Sequence, residues 1–389
     1  MLPSHWRRLP ADAAEWFDAA EIARGRRYNR PLERLGRVRL AASVAVVSAF
    51  VAGRAGPRLL DALPAQSWPV QVVVVAFALQ ATSLVYAPWF AAHRALVYDK
   101  WWGLSTQTPR GFLRDQLTQL ALGGVATAVL VVPLYAVIRT TEWWWLFGWM
   151  VVAGVTVGLG FVWPVLVAPL FNRFRPLDDA TLAERLRAVA SRAGLDVDEV
   201  LVADASRRSR AGNAYVAGLG RTRRVVIFDT IVDWPPELVE QVVAHELGHW
   251  RHAHLRRRLP VVLAAQLLVF GVAWALLRQP AVLRAAGVEA AGDPASLPLL
   301  VGVLSLGLGA TSLLTSWLSR ADERQADLFA LEVLQRPDRL TAVLRRLARC
   351  NRADVDPSWW KRLWASHPPL AERMALARAW EQARVPGSG

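Results

Sequence analysis

Six apolar runs, each about long enough to cross a lipid bilayer, constrain this 389-residue chain more than any other feature of its sequence. A helix needs about 20 apolar residues to span the hydrocarbon core of a bilayer. The runs cover residues 36–54, 68–93, 116–138, 143–170, 259–278 and 297–318. Because a backbone in lipid must satisfy its own hydrogen bonds, we expect each run to be a helix. The sequence therefore predicts a mainly α, polytopic transmembrane helical bundle.

Composition agrees with a membrane-embedded chain. Hydrophobic residues make up 54% of the sequence and charged residues only 20%, which is less charge than soluble proteins usually carry. The chain also contains 19 Trp, three of which, Trp143, Trp144 and Trp145, open the fourth run. Tryptophan is enriched at membrane–water interfaces. These features support the assignment of the runs as membrane spans.

The formal net charge of +14 comes almost entirely from arginine, which lies between the apolar runs. Arginine is frequent in 1–35, 171–258 and 319–389, whereas the loops 55–67 and 279–296 carry few charges. By the positive-inside rule, we expect both termini and the segment 171–258 to be cytoplasmic. An arginine-rich, lysine-poor composition also favours a bacterial source, hence a bacterial plasma membrane. The arginines are spread over several loops and form no single basic face, so we expect no nucleic-acid partner.

The segment between the fourth and fifth runs predicts a small α+β domain. Its helices are predicted at 178–194 and 236–254, and its strands at 199–204, 213–219 and 224–230, with a hairpin turn at 220–223. The predicted organisation is an N-terminal segment 1–35, four spans in 36–170, a soluble core 171–258, two spans in 259–318, and a C-terminal segment 319–389.

An H-E-x-x-H motif, His245-Glu246-Leu247-Gly248-His249, lies in the helix predicted at 236–254. Residues four apart lie on the same helix face, so both imidazoles can converge on one cation. Neutral imidazole is a favoured zinc ligand. The carboxylate of Glu246 can take a proton from a water that the metal activates. The motif predicts one Zn2+ per chain, bound by His245 and His249, with Glu246 as the general base.

A catalytic zinc needs a third protein ligand. The metzincin pattern does not supply it, because His252 and Leu255 stand where that pattern requires Gly and His. His254 is close in sequence but lies on a different helix face from the pair. Glu323 and Asp327 are four residues apart, a spacing that would let Glu323 bind the metal while Asp327 orients a ligating histidine. An ordinary solvated helix has the same spacing, so both interpretations remain open from the residues alone.

Several further segments point to a known family. They are Ala168-Pro169-Leu170-Phe171-Asn172, Ser319-Arg320 followed by Glu323, Gln325, Ala326 and Asp327, and Ser366-His367-Pro368-Pro369-Leu370-Ala371-Glu372-Arg373. Together with the segment from His245 to Trp250, they resemble the type 1 CAAX prenyl endopeptidase family of integral-membrane zinc peptidases, over residues 28–373. The resemblance implies a polytopic helical bundle with a gluzincin-like core, a zinc ion and a polypeptide substrate.

The resemblance also implies roles for individual residues. Glu323 would be the third zinc ligand and Asp327 the partner of a ligating histidine. His367 would lie near the zinc, where with Arg373 it would stabilise the oxyanion of the tetrahedral intermediate; the alternative is a loop histidine with a structural role. A substrate-binding edge strand is implied at Asn213, Ala214 and Tyr215, where the alternative is an ordinary strand of the sheet.

Two features depart from the family. Its best-known members have seven spans whereas this chain has six apolar runs, and residues 98–106 follow the family's motif only loosely. Prenylation is a eukaryotic modification, so a bacterial source leaves a prenylated substrate open. We therefore expect a membrane-embedded zinc metalloendopeptidase that cleaves membrane-associated or hydrophobic polypeptides. The alternatives are a membrane quality-control protease and a catalytically inactive membrane scaffold.

Overall fold

The computed structural model describes residues 11–217 and 224–384. The first eight helices are α1 (Ala19–Ala52), α2 (Ala55–Asp61), α3 (Trp68–Leu84), α4 (Ala87–Ala92), α5 (Asp99–Trp101), α6 (Pro109–Thr140), α7 (Trp144–Val162) and α8 (Ala168–Phe171). The remaining helices are α9 (Ala180–Arg192), α10 (Asp229–Val232), α11 (Pro236–Arg251), α12 (His254–Leu277), α13 (Pro280–Ala286), α14 (Leu297–Leu334), α15 (Pro337–Cys350), α16 (Trp359–Trp364) and α17 (Leu370–Gln382). The strands are β1 (Phe174–Pro176), β2 (Glu199–Ala203), β3 (Ala214–Ala217) and β4 (Arg224–Phe228). The hairpin turn predicted at 220–223 lies outside the described residues.

Five helical segments within the described ranges are long and apolar enough to cross a membrane. They are Ala19–Ala52, Trp68–Trp101, Pro109–Thr140, His254–Leu277 and Pro294–Leu334. Each overlaps one of the predicted runs. The fourth predicted run, 143–170, contains instead a shorter apolar helix, Trp144–Leu159, and is interrupted further on by a π-helical turn at Trp163–Val167. The prediction of a mainly α, membrane-embedded protein is confirmed.

Helix α14 joins the apolar helical bundle to the soluble core. It is 38 residues long and ends at Leu334, because the backbone of the next residue, Gln335, adopts the left-handed conformation. No helix begins or ends at the predicted boundary between residues 318 and 319, because no glycine or proline interrupts α14 there. As a consequence, the last predicted span and the motif around Glu323 form one rigid element.

The soluble core contains a four-stranded sheet in the order β1-β2-β4-β3. Strands β2 and β4 are parallel, and the outer strands β1 and β3 are antiparallel to their neighbours. The three predicted strands are present, and their described ends lie within two residues of the prediction; the end predicted at residue 219 lies outside the described residues. Strand β1, which has only three residues, was not predicted. Buried side chains of β2 and β4, such as Val202 and Ile227, share one hydrophobic cluster with Val243 and Leu247 of α11.

Helix α11 begins at Pro236, a residue that favours the first turn of a helix. It ends at Arg251, three residues before the predicted end. The reason is Ala253, whose φ of 50° places it in the left-handed region. This conformation is uncommon for alanine, and it turns the chain so that α12 starts at once with His254.

Helices α11 and α14 pack closely against each other at Gly248. A Cβ atom added at this glycine would lie 2.9 Å from the Cα and 3.1 Å from the carbonyl oxygen of Ala326. Because both of these are backbone atoms, no side-chain rotation can relieve the contact. The H-E-x-x-H motif therefore requires its glycine for helix packing, in addition to the residues that carry the chemistry.

We predict that Gly248→Ala destabilises the protein by about 1–3 kcal/mol, because the added methyl group pushes α11 and α14 apart. The measurement is thermal unfolding in detergent, together with the metal content of the purified protein, which we expect to fall. Gly271→Ala is the matched control, because Gly271 lies in α12 and a Cβ there meets nothing within 4 Å. Equal behaviour of the two variants would contradict the close helix contact.

Candidate metal centre

Three side chains from two distant parts of the chain converge on one point. His245 Nε2 lies 3.3 Å from Glu323 Oε2, and His249 Nε2 lies 3.3 Å from Glu323 Oε1. The two Nε2 atoms are 3.3 Å from each other. One ligand atom from each residue lies within 4.8 Å of the other two. Helix α11 provides both histidines and α14 provides the glutamate, so the contact between these helices assembles the cluster.

The geometry of this cluster fits a zinc ion. Ligand atoms about 2.1 Å from a tetrahedral zinc lie about 3.4 Å from each other, which matches the observed separations. The side chain of Glu323 is only 5% exposed, and its Oε2 receives no hydrogen bond from the described residues. A buried carboxylate oxygen without a partner is costly. A cation held between the three side chains would remove this cost.

The first histidine of the motif is held by a buried ion pair. His245 Nδ1 lies 2.9 Å from Oδ1 of Asp327. Asp327 is fully buried and accepts two hydrogen bonds of 2.7 Å from the guanidinium of Arg373, one to each carboxylate oxygen. An acceptor at Nδ1 places the proton on that nitrogen and leaves Nε2 free to bind a metal. Asp327 thus lies where the spacing and the resemblance place it.

The charges around the cluster attract a positive charge. Burial on its own would lower the pKa of His245, but the hydrogen bond and the charge of Asp327, together with Glu323, raise it to about 10. Burial would also lower the pKa of Arg373, but the charges of Asp327 and Glu323 raise it above its ordinary value. Without a metal, this environment favours a proton on the imidazole, and a metal ion would replace that proton.

The second histidine of the motif has its own support, which the sequence did not reveal. His249 Nδ1 lies 2.9 Å from His254 Nδ1, and His254 Nε2 lies 3.1 Å from the side-chain oxygen of Gln325. If His249 binds a metal through Nε2, its Nδ1–H donates to His254, which in turn donates from Nε2 to Gln325. His254 was predicted to lie on a different face of a continuous helix. The turn at Ala253 brings it back to His249.

Glu246 lies next to the first histidine and is partly buried. Burial raises the pKa of its carboxyl group, and the charges of His245 and His249 partly oppose this effect. A carboxylate with a raised pKa is a stronger base and accepts a proton more readily near neutral pH. The raised pKa is a property that a general base requires.

The C-terminal motif also reaches the cluster. His367 Nε2 lies 3.3 Å from Glu323 Oε1, and its side chain is 61% exposed. Its Nδ1 lies 2.8 Å from the hydroxyl oxygen of Ser366. Arg373, in contrast, is buried behind the cluster and is paired with Asp327. The two residues that the sequence analysis treated together therefore occupy different positions, one at the open side of the site and one behind a ligand.

The predicted substrate strand forms one edge of the sheet. Strand β3 includes Ala214 and Tyr215, and it pairs with β4 on one side only among the described residues. Asn213 directly precedes it, and its backbone oxygen accepts a hydrogen bond from the N–H of Phe228. Ala214 is buried, and its cluster includes residues of α11. The free edge of β3 is thus close in the fold to the helix that carries both histidines.

Comparisons with known proteins cover almost the whole chain. The family model described as Peptidase family M48 matches residues 176–381. The family model described as CAAX prenyl protease N-terminal, five membrane helices, matches residues 2–173. The first match contains the histidines, the glutamate and the C-terminal motif, and the second contains the first four predicted spans.

Individual relatives come from bacteria and eukaryotes. The chain is 29% identical over 322 residues to the uncharacterized metalloprotease YhfN of Bacillus subtilis, covering 81% of this chain and 75% of that protein. It is 27% identical over 297 residues to the CAAX prenyl protease 1 homolog of Oryza sativa subsp. japonica, covering 74% and 68%. The crystal structure of S. mikatae Ste24p superposes with a TM-score of 0.83 at 23% identity, covering 95% of this chain and 92% of that one. This superposition confirms the fold.

We predict that Glu323→Ala abolishes stoichiometric metal binding, because the change removes one of the three converging ligands. Metal content is measured by atomic emission on protein purified without chelators. Glu332→Ala is the matched control, because Glu332 lies on the same helix and is exposed. A full metal content in Glu323→Ala would exclude this residue as a ligand.

We predict that His254→Ala retains the fold but weakens metal binding by about 10- to 100-fold, because His249 loses the partner that fixes its orientation. The measurement is competition with a chromophoric chelator. His93→Ala provides a control for the loss of a histidine remote from the site, since His93 stacks on Trp89 in another part of the chain. An unchanged affinity in His254→Ala would show that this histidine does not support the ligand.

Proposed function

Because the chain belongs to peptidase family M48 and is a membrane-embedded metalloendopeptidase, we propose that its metal is zinc and that it cleaves membrane-associated or hydrophobic polypeptides. The observation that carries this proposal is the convergence of His245, His249 and Glu323 at mutual separations of 3.3 Å. Two imidazoles and one carboxylate leave a fourth position open, as catalytic zinc sites do.

The residues of the chain divide the chemistry between them. When bound at this site, zinc supplies a Lewis acid that activates water and polarises the scissile carbonyl. Glu246 takes the proton of the attacking water and transfers it to the leaving amine. Asp327 holds His245 in the tautomer whose Nε2 is free, and Arg373 holds Asp327. His254 accepts a hydrogen bond from Nδ1 of His249 and so holds His249 in the tautomer whose Nε2 is free.

We assign His367 to stabilisation of the negative charge that develops on the substrate oxygen. Its exposed imidazole at the open side of the cluster, 3.3 Å from Glu323, supports this role. Arg373 does not share it, because its guanidinium is buried and paired with Asp327. We therefore treat Arg373 as a positioning residue.

The substrate binds in an extended conformation along β3. The edge of this strand offers backbone hydrogen-bonding groups next to Asn213, Ala214 and Tyr215, and an extended peptide can add to it as a further strand. Such binding depends little on side-chain identity, which suits an endopeptidase with a broad range of hydrophobic substrates. The rice and yeast relatives are named CAAX prenyl protease 1 homolog and CAAX prenyl protease 1, so a prenylated peptide is the first substrate to compare with its unmodified form.

The location we propose is a bacterial plasma membrane, with the catalytic core and both termini in the cytoplasm. The arginine-rich segments support this orientation. A relative in Bacillus subtilis and the scarcity of lysine support the bacterial source. The intact Glu246 argues against an inactive scaffold.

We predict that Glu246→Gln retains the metal but lowers cleavage of a hydrophobic peptide by about 100- to 10,000-fold, because the variant has no general base. Zinc content and the hydrolysis of a fluorogenic peptide are measured on the same preparation in detergent. The control is Glu237→Gln in the first turn of the same helix, which we expect to be active. Zinc in both variants with turnover retained in Glu246→Gln would remove Glu246 from this role.

A further inference from the structure

Helix α16 carries an aromatic face that the protein leaves uncovered. The exposed fractions are 72% for Trp359, 50% for Trp360, 41% for Leu363 and 42% for Trp364. Trp359 and Leu363 are four residues apart, as are Trp360 and Trp364, so these residues share one side of the helix. We call them the α16 tryptophan face. Large aromatic side chains usually contribute their area to a core or an interface, so this face indicates a surface that is covered in the working protein.

The helix is attached where the apolar part of α14 ends. The hydroxyl of Ser316 donates a hydrogen bond of 3.1 Å to the backbone oxygen of Trp364. Arg320 Nη1 donates to the backbone oxygens of Arg362 and Ala365 over 2.9 and 2.7 Å. About 20 residues at about 1.5 Å each separate the start of α14 from Ser316, which is about the thickness of the hydrocarbon core. These bonds therefore hold α16 at one boundary of the bilayer.

A second membrane helix holds α16 at the same level. The ammonium group of Lys361 lies 2.8 Å from the carboxylate of Glu33 in α1 and 3.1 Å from that of Asp354. Glu33 lies three positions before the start of the apolar run 36–54. Two spans thus position α16 independently. Its two basic residues, Lys361 and Arg362, face carboxylates of the protein, while its tryptophan face is exposed.

We propose that α16 lies in the membrane–water interface, with its tryptophan face among the lipid headgroups and the first acyl carbons. Tryptophan is favoured at this depth because its ring is apolar and its N–H can still find polar partners. Trp317, which directly follows Ser316 at the end of the apolar part of α14, is also 59% exposed, so α14 and α16 both present exposed tryptophan in this region. The partner of the face is therefore the bilayer in which the protein is embedded.

This placement connects the bilayer to the metal centre. Only Ala365 and Ser366 separate α16 from His367, whose Nε2 lies 3.3 Å from Glu323. A helix held by lipid on one side and by Arg320 on the other restricts the movement of this short segment. Contact with the membrane surface then contributes to the position of His367 at the open side of the site.

The experiment places an environment-sensitive fluorophore on the face. In a Cys350→Ala background, Trp360→Cys is labelled with a nitrobenzoxadiazole and reconstituted into nanodiscs whose lipids carry a spin label near the headgroup or near the acyl-chain end. Two exposed reference positions are treated in the same way, Ala188→Cys in α9 of the soluble core and Val129→Cys in α6. Retained metal content verifies that each variant is folded.

We expect the emission of the label at position 360 to shift to shorter wavelength. We also expect it to be quenched mainly by the spin label near the headgroup. The label at position 188 should be quenched by neither spin-labelled lipid. The label at position 129 should be quenched most by the spin label near the acyl-chain end. A label at position 360 that behaves like position 188 would overturn the proposal, because the face would then line an aqueous space or meet a protein or peptide. Behaviour like position 129 would also overturn it. Trp359→Cys repeats the measurement if Trp360→Cys does not retain its metal.

Discussion

The contact between α11 and α14 is the interaction on which the rest of the structure depends. It brings together His245 and Asp327, which are separated by 82 positions in the chain, and it allows Glu323 to meet both histidines. The contact is possible because Gly248 has no side chain facing the backbone of Ala326. Two helices with larger residues at the crossing would lie further apart, and the three ligand atoms would no longer converge.

The contact between α11 and α14 buries negatively charged side chains, which a bound cation would stabilise. Glu323 and Asp327 bring two negative charges into the site, and Arg373 provides one positive charge that is bonded to both oxygens of Asp327. Burying charges is unfavourable unless partners compensate for the lost hydration. A metal ion between the histidines and Glu323 compensates for the remaining negative charge. The same network that orients the first histidine therefore favours metal binding, and loss of any member affects the whole cluster.

Helix α14 contains both a predicted membrane span and Glu323 of the metal cluster. Glu323 follows Trp317 by six positions in α14, a rise of about 9 Å along the helix, so the cluster lies close to the end of the apolar part of this helix. This position agrees with the proposal that the substrates are polypeptides associated with the membrane. In the placement proposed above, the short α16 lies at the membrane boundary beside this part of α14, and it leads directly to His367 at the open side of the site.

The sequence alone determined the features that depend on local patterns. Apolar length predicted the five long apolar helices found among the described residues, because lipid leaves a backbone few alternatives to a helix. The i, i+4 spacing within the H-E-x-x-H motif predicted two metal ligands, and short apolar, β-branched stretches predicted three strands. Residue spacing alone did not identify the third metal ligand. The family resemblance indicated Glu323.

Only the tertiary structure decided how these parts meet. The left-handed backbone at Ala253 returns His254 to His249, and alanine offers no sequence signal for such a turn. The pairing of Arg373 with Asp327, and the separation of Arg373 from His367, depend on how α17 packs behind α14. The place of α16 at the membrane boundary depends on bonds from Arg320 and Lys361 to distant residues. These contacts join positions far apart in the chain, and local propensity carries no information about which distant surfaces will pack together.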